Sequence, residues 1–160
     1  MSAAQKGPHD AVEFGRRQYP ADPAQAATVR EDMRGWLDTA GVSAEIAHGM
    51  LLAVSEAVDN VIVHAYPPTP DPAPEATIEL TLWVDHTEVV VTVADHGVWV
   101  PPQTSALEHD TAVAPARHGR GIILMNTHVD EVAIHHDQRG TTVLLRCARE
   151  RGDRASADPA

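Results

Sequence analysis

Apolar residues recur at Ile46, Met50, Leu51, Val54, Val58, Val61 and Ile62, the three- and four-residue spacing of one helix face. Ser43 stands where a side-chain cap would open that helix. The helix runs to about Tyr66, where the Pro-rich stretch 67–76 stops it. An earlier helix is predicted within 21–41, with Asp22 to cap it, Pro23 at its first position and Gly41 to end it. Its Ala26, Val29, Met33, Trp36 and Leu37 share a face. The pattern then becomes β-rich over 77–84 and 88–95, separated only by Asp85, His86 and Thr87, which predicts an antiparallel hairpin. A strand ending at Pro20, a helix over 121–129 and a second hairpin over 130–148, turning at Asp137 to Gly140, complete the series. Residues 96–121 have Gly and Pro at both ends and little period, and a loop that long in a compact domain is usually functional or disordered.

The order β, α, α, β, β, loop, α, β, β lacks the regular alternation of a parallel sheet. It predicts an α/β (α+β) two-layer sandwich, a mixed, mostly antiparallel sheet with helices on one face. One domain is expected over 12–147, between disordered tails at 1–11 and 148–160.

Composition narrows the function. Aromatic residues are only 4% of the chain, so the core must be built from Ala, Val, Leu and Ile, and platforms for stacking single-stranded nucleic acid are not expected. A net charge of -11 repels phosphate backbones and anionic membranes, so no nucleic-acid or membrane partner is expected, and a basic protein partner fits better. The single cysteine, Cys147, cannot form an internal disulfide and reads as a buried strand thiol in a reducing compartment. The opening ten residues lack the apolar core of a signal peptide, and no apolar run approaches the roughly 20 residues of a membrane span. A cytoplasmic protein is expected. Lys6 is the only lysine, which excludes a P-loop, a eukaryotic-type kinase site and Schiff-base chemistry.

The helix that should face the core carries Glu56, Asp59, Asn60 and His64. Glu56 and Asn60 are four residues apart and share a face. An Asn carbonyl oxygen suits Mg²⁺, which takes few protein ligands and completes its shell with phosphates and water. A carboxylate one turn earlier could orient or deprotonate an attacking hydroxyl. By spacing alone, a polar stripe bonded to loops fits as well. Asp95 ends an apolar strand with Gly97 two residues on, where the carboxylate could accept from an exocyclic amine and the glycine admit a flat ring; an ordinary turn after a strand has the same sequence. Gly119 and Gly121, with Arg120 between them, stand just before a helix and could bind phosphate with backbone amides, or serve as a hinge. A dinucleotide G-x-G-x-x-G is excluded, because Leu124 holds the last glycine position. Gly140 and Thr141 open a strand, where the hydroxyl could join a base-binding network, though threonine there needs no function. No H-x-x-x-H or C-x-x-C pair is present, so the ten histidines do not spell a metal site.

Order and spacing together are more specific than any one of these signals. "SEAVDNVIVHAY", "VADHG" and "HGRGIILMN", followed by Gly-Thr on a strand, resemble the ATP-binding fold shared by gyrase, the MutL repair ATPases, the large heat-shock chaperone and histidine kinases. Within that group the chain most resembles the bacterial anti-sigma-factor serine kinases, over roughly residues 12–147. The resemblance implies Glu56 as general base for a protein serine hydroxyl and Asn60 as the Mg²⁺ ligand. It implies Asp95 on the adenine amine beside Gly97, Thr141 near adenine, and Gly119, Arg120 and Gly121 on the phosphates of ATP. Residues 98–118 would be the ATP lid. Such proteins hold a sigma factor inactive and phosphorylate an anti-sigma-factor antagonist on Ser or Thr, and a homodimer is their implied assembly. The other reading is a nucleotide-gated binding module without phosphotransfer. ATP hydrolysis coupled to dimer clamping fits less well, since such machines would be expected to carry a transducer domain that the 160 residues do not resemble.

Overall fold

A computed structural model describes residues 13–66, 76–97 and 117–149. The expected tail 1–11 lies outside the described residues, as does 148–160 except for Ala148, which ends the last strand, and Arg149. The expected lid over 98–118 also lies outside them, except for Arg117 and His118, which open the last helix. Five strands, β1 (Glu13–Pro20), β2 (Thr77–Val84), β3 (Glu88–Asp95), β4 (Glu131–Asp137) and β5 (Gly140–Ala148), form one sheet in the order β1-β2-β3-β5-β4. Three α-helices, α1 (Gln25–Thr39), α2 (Ala44–Asn60) and α3 (Arg117–His128), and a π-helical turn that continues α2 complete the described elements. Every neighbouring strand pair is antiparallel, so the sheet expected as mixed, mostly antiparallel has no parallel pair among the described residues.

Alternation along the strands creates the two layers. In β2 and β3 every second residue is buried, which is the period of a strand packed on one side. Cross-strand register then stacks the inner-face positions into rows, buried on β2, β3 and β5 and more open on the edge strand β4. Leu82, Val91, Leu145 and Val132 form one row and Leu80, Val93, Val143 and Ile134 the next. Val29, Met33 and Leu37 of α1, Met50, Val54 and Val58 of α2 and Met125 of α3 are buried in the same core.

Local chemistry sets the helix ends. Ser43 caps α2 as expected, its hydroxyl accepting from the Ile46 N–H at 3.4 Å. Asp22 does not cap α1 directly. It accepts from the Ala24 N–H at 2.8 Å in a turn that precedes the helix, which begins at Gln25 and not at Pro23. Gly41, at φ +67, ends α1: its N–H reaches the Asp38 carbonyl at 3.0 Å and the Val42 N–H reaches that of Leu37 at 3.0 Å.

Past Asn60 the second helix widens into a π-helical turn, Val61–Ala65, before it stops at Tyr66. The continuous stretch Ala44–Ala65 has 22 residues and a hydropathy of 1.4, long and apolar enough by composition to cross a membrane. Its polar residues break up any simple apolar run, which is why the sequence pattern did not show that length. Here its buried side is the core face, holding Met50, Ala53, Val54, Ala57 and Val58.

Candidate functional site

The inner face of the sheet changes character at one row. Beyond the two apolar rows, the register brings Ile78, Asp95, Thr141 and His136 side by side across β2, β3, β5 and β4. Asp95 is 6% exposed and is the one buried charged residue among those described. A carboxylate at a core position is costly unless it has work to do or donors to satisfy it. Its Oδ1 accepts the Gly97 N–H at 2.9 Å and the Thr141 N–H at 3.4 Å. Burial pushes the Asp95 carboxyl above its ordinary value, against the opposing pull of those two N–H groups and of His96. Beside it, the buried Thr141 hydroxyl has no hydrogen-bond partner among the described residues. An orphaned hydroxyl next to a buried carboxylate is the polar complement that a ligand with an amine and an acceptor nitrogen would fill.

A cavity of about 340 Å³ opens over this row. Asn60, Val61, His64 and Ala65 form its helical wall, Asp95, Thr141, His136 and Ile134 its floor, and Met125 of α3 its far side. It is lined mainly by apolar atoms with a few polar groups, the usual make-up of a small-molecule site. The Asn60 side chain makes no hydrogen bond among the described residues, so its amide oxygen is free for a ligand in the cavity. No group of three or more His, Cys, Asp or Glu among the described residues could hold a metal ion alone. A hard divalent ion held by Asn60 would therefore complete its shell with phosphate and water oxygens.

Glycines set the fit at the floor. A Cβ at Gly97 would lie 2.0 Å from the Ala65 carbonyl oxygen, so only glycine lets the end of β3 meet the end of the second helix. Gly140, at φ +137, would carry a Cβ 1.9 Å from the Asp95 carbonyl oxygen, and it delivers Thr141 to its place.

Asn60, Asp95 and Thr141, placed in a site by sequence, thus line one cavity, with Gly97 at its edge. Glu56 does not line it. It is half-buried one turn before Asn60, about 6 Å back along the helix axis. Gly119, Arg120 and Gly121 lie within α3, which begins at Arg117, four residues before the expected start at Gly121. Gly119 falls in the first turn, whose N–H groups lack intrahelical partners, while Gly121 falls past it and precedes Met125 by one turn on the same face. Ala65, Met125, Ile134 and His136 were not singled out by sequence, and Val61 was read only as part of the apolar helix face. His64 was noted as part of the helix motif without a role. The one signal that could have found Ile134 and His136 is their period-two alternation with Val132 on the inner face of β4.

The histidine kinase-like ATPase domain family matches residues 19–147, which take in the whole cavity lining and every described element but most of β1 and the last residue of β5. The chain belongs to that family. Within it, the chain is 33% identical over 134 residues to the serine-protein kinase RsbW of Bacillus mycoides, covering 80% of each chain. It is 28% identical over 149 residues to RsbW of Listeria monocytogenes, covering 89% of this chain and 90% of that one. In fold it resembles the structure of the RsbU and RsbW domains of a Mycobacterium tuberculosis protein, with a TM-score of 0.62 and 23% identity. That match covers 84% of this chain and 32% of the longer one. This histidine kinase-like ATPase domain therefore has RsbW serine-protein kinases as relatives over most of its length.

Proposed function

We propose that the chain is an ATP- and Mg²⁺-dependent protein serine/threonine kinase and anti-sigma factor. It holds a sigma factor inactive and phosphorylates the antagonist that would release it. The observation that carries this reading is the polar row at the cavity floor, Asp95 with its orphaned neighbour Thr141, facing Asn60 on a helix that has Glu56 one turn further out. The base of ATP fits the Asp95 end. Asp95 accepts from the exocyclic amine, the Thr141 hydroxyl completes the edge, and Gly97 leaves room for the ring. The phosphates run toward Asn60 and the N-terminal end of α3, where Gly119 supplies a first-turn amide and Arg120 a cation, with Gly121 the next residue along the helix.

Glu56 then stands beyond the metal-binding amide, on the side of the terminal phosphate. Its carboxylate makes no hydrogen bond or ion pair among the described residues. In the transfer, the substrate hydroxyl oxygen bonds to the γ-phosphorus as the bond to the β,γ-bridging oxygen breaks. ADP leaves with that electron pair, and Glu56 takes the hydroxyl proton. Mg²⁺, when bound, neutralises phosphate charge, and Asn60 would hold it. A net charge of -11 favours basic patches on the protein partners. The switch would operate in the cytoplasm, where ATP and a sigma factor meet, and a homodimer is the assembly that the motif resemblance implies.

Glu56→Ala tests the reading. It should keep ATP affinity within about twofold and lower phosphotransfer by two orders of magnitude or more, about what a positioned base contributes. The companion experiment is capture of partners from the source cell's lysate with Mg-ATP and mapping of new phosphoserine or phosphothreonine. One observation favours a second reading: Glu56 is outside the cavity lining. A partner captured in a nucleotide-dependent way but never phosphorylated would make the chain a nucleotide-gated binding module.

A further inference from the structure

Tyr66 follows the π-helical turn directly, and its hydroxyl makes three hydrogen bonds. It donates to the Thr77 carbonyl at 2.8 Å and accepts from the Thr77 N–H at 3.2 Å. It also accepts from the His96 N–H at 3.1 Å. The β2–β3 ladder ends at the pair Ile78 and Asp95, so Thr77 and His96 are the residues that would face each other one step on. The phenol stands between them and takes the place of that next rung. One hydroxyl, with one proton and two lone pairs, meets the needs of three backbone groups.

The position of this rung matters more than its strength. His96 lies between Asp95 and Gly97, and on the other side Gly97 rests against the Ala65 carbonyl with no room for a Cβ. The last turn of the helix and the Tyr66 hydroxyl thus grip the same three-residue corner from two directions. Asp95 can offer its second oxygen to a ligand only while Oδ1 stays on the Gly97 and Thr141 N–H groups, and that depends on where the corner sits. The same helix carries Asn60 six residues before Tyr66, so the grip also fixes the base end of the cavity relative to the phosphate end.

Resting on the nucleotide-binding reading above, we propose that Tyr66 is a positioning residue for base recognition, acting through the His96 amide to hold Asp95 in place. The phenol itself touches no ligand in this proposal. Tyr66→Phe keeps the ring packed on the core and removes only the hydroxyl. The Kd for ATP, measured by calorimetry, should rise about tenfold, the order of one lost hydrogen bond, with kcat at saturating ATP unchanged within about twofold. In an Asp95→Asn background the same change should cost little further affinity, since the group it positions is already lost. A purely structural tyrosine would lower thermal stability and leave both the Kd and this non-additivity unmoved. Unchanged ATP affinity in Tyr66→Phe, or fully additive losses, would overturn the proposal and leave the nucleotide reading intact. Absence of adenine-nucleotide binding by the unsubstituted protein would overturn both. Amide hydrogen exchange gives a check without substitution: the His96 N–H should be protected in the native chain, and exchange at the rate of free peptide would also sink the idea.

Discussion

Asp95 Oδ1 accepts two backbone N–H groups, and that geometry dictates what an isosteric change would do. In Asp95→Asn the amide oxygen must take the same two bonds, which turns the NH₂ toward the cavity. A donor then faces the exocyclic amine that the carboxylate would have accepted. ATP affinity should fall between about tenfold and a hundredfold, readable by calorimetry. Stability should move the other way. The carboxyl is held above its ordinary value by burial, so its charged form is disfavoured in the folded state. The sign follows from linkage: the folded protein gains from this group below the unfolded-state value and loses that gain as pH rises through the folded-state value. The penalty thus grows as pH rises above the ordinary value. Asp95→Asn without nucleotide should therefore melt higher than the unsubstituted chain at pH 7, with the advantage shrinking as pH falls toward the ordinary carboxylate value of 3.8. Equal melting temperatures at pH 7 would show that the buried charge carries no cost.

At the scale of elements, the junction between the second helix and β3 is the point of least tolerance. Gly97→Ala would drive a methyl into the Ala65 carbonyl at 2.0 Å, and backbone is on both sides of that contact. Relief requires moving the π-helical turn or the Asp95 corner. A loss of about 3 kcal/mol is expected, seen as a fall of roughly 10 °C in Tm, together with loss of nucleotide binding. Much of this scale was legible in the sequence. The i, i+3, i+4 pattern from Ile46 to Ile62 and the β-rich runs at 77–84 and 88–95 placed their elements to within a residue or two, because each buries one face on one core. The Ser43 cap and the Gly41 stop were readable because local chemistry alone sets them. The π-helical turn was not, since nothing in the pattern of residues 61–65 marks an extra residue per turn. The role of Tyr66 was hidden for a related reason: its partners lie 11 and 30 residues away, and only the closed sheet brings them together. The start of α3 was missed because Arg117 and His118 carry no apolar period.

The whole molecule joins a site of few polar groups to a strongly acidic chain. Asp95, Thr141 and Asn60 come from β3, β5 and the second helix, so a nucleotide seated among them ties together elements that the chain itself connects only through long segments. Anything that binds the folded state alone stabilises it by mass action, about 2.7 kcal/mol at a hundred times the Kd. For a domain of this size, Mg-ATP at that level should raise Tm by roughly 10 °C. The shift should depend on the divalent ion, because a chain carrying a net charge of -11 must accept a tetra-anion, and the described lining of the cavity includes no lysine or arginine to offset it. Chelation with EDTA should remove most of the shift. Asn60→Ala should behave like the chelated protein whether or not Mg²⁺ is added, since the ion's anchor on the chain is gone. If ATP stabilises equally with and without the ion, or if Asn60→Ala responds to Mg²⁺ as the unsubstituted chain does, then Asn60 is not the metal's ligand. Charge compensation would then have to come from Arg120 at the start of α3, and Arg120→Ala would be the variant that abolishes the shift.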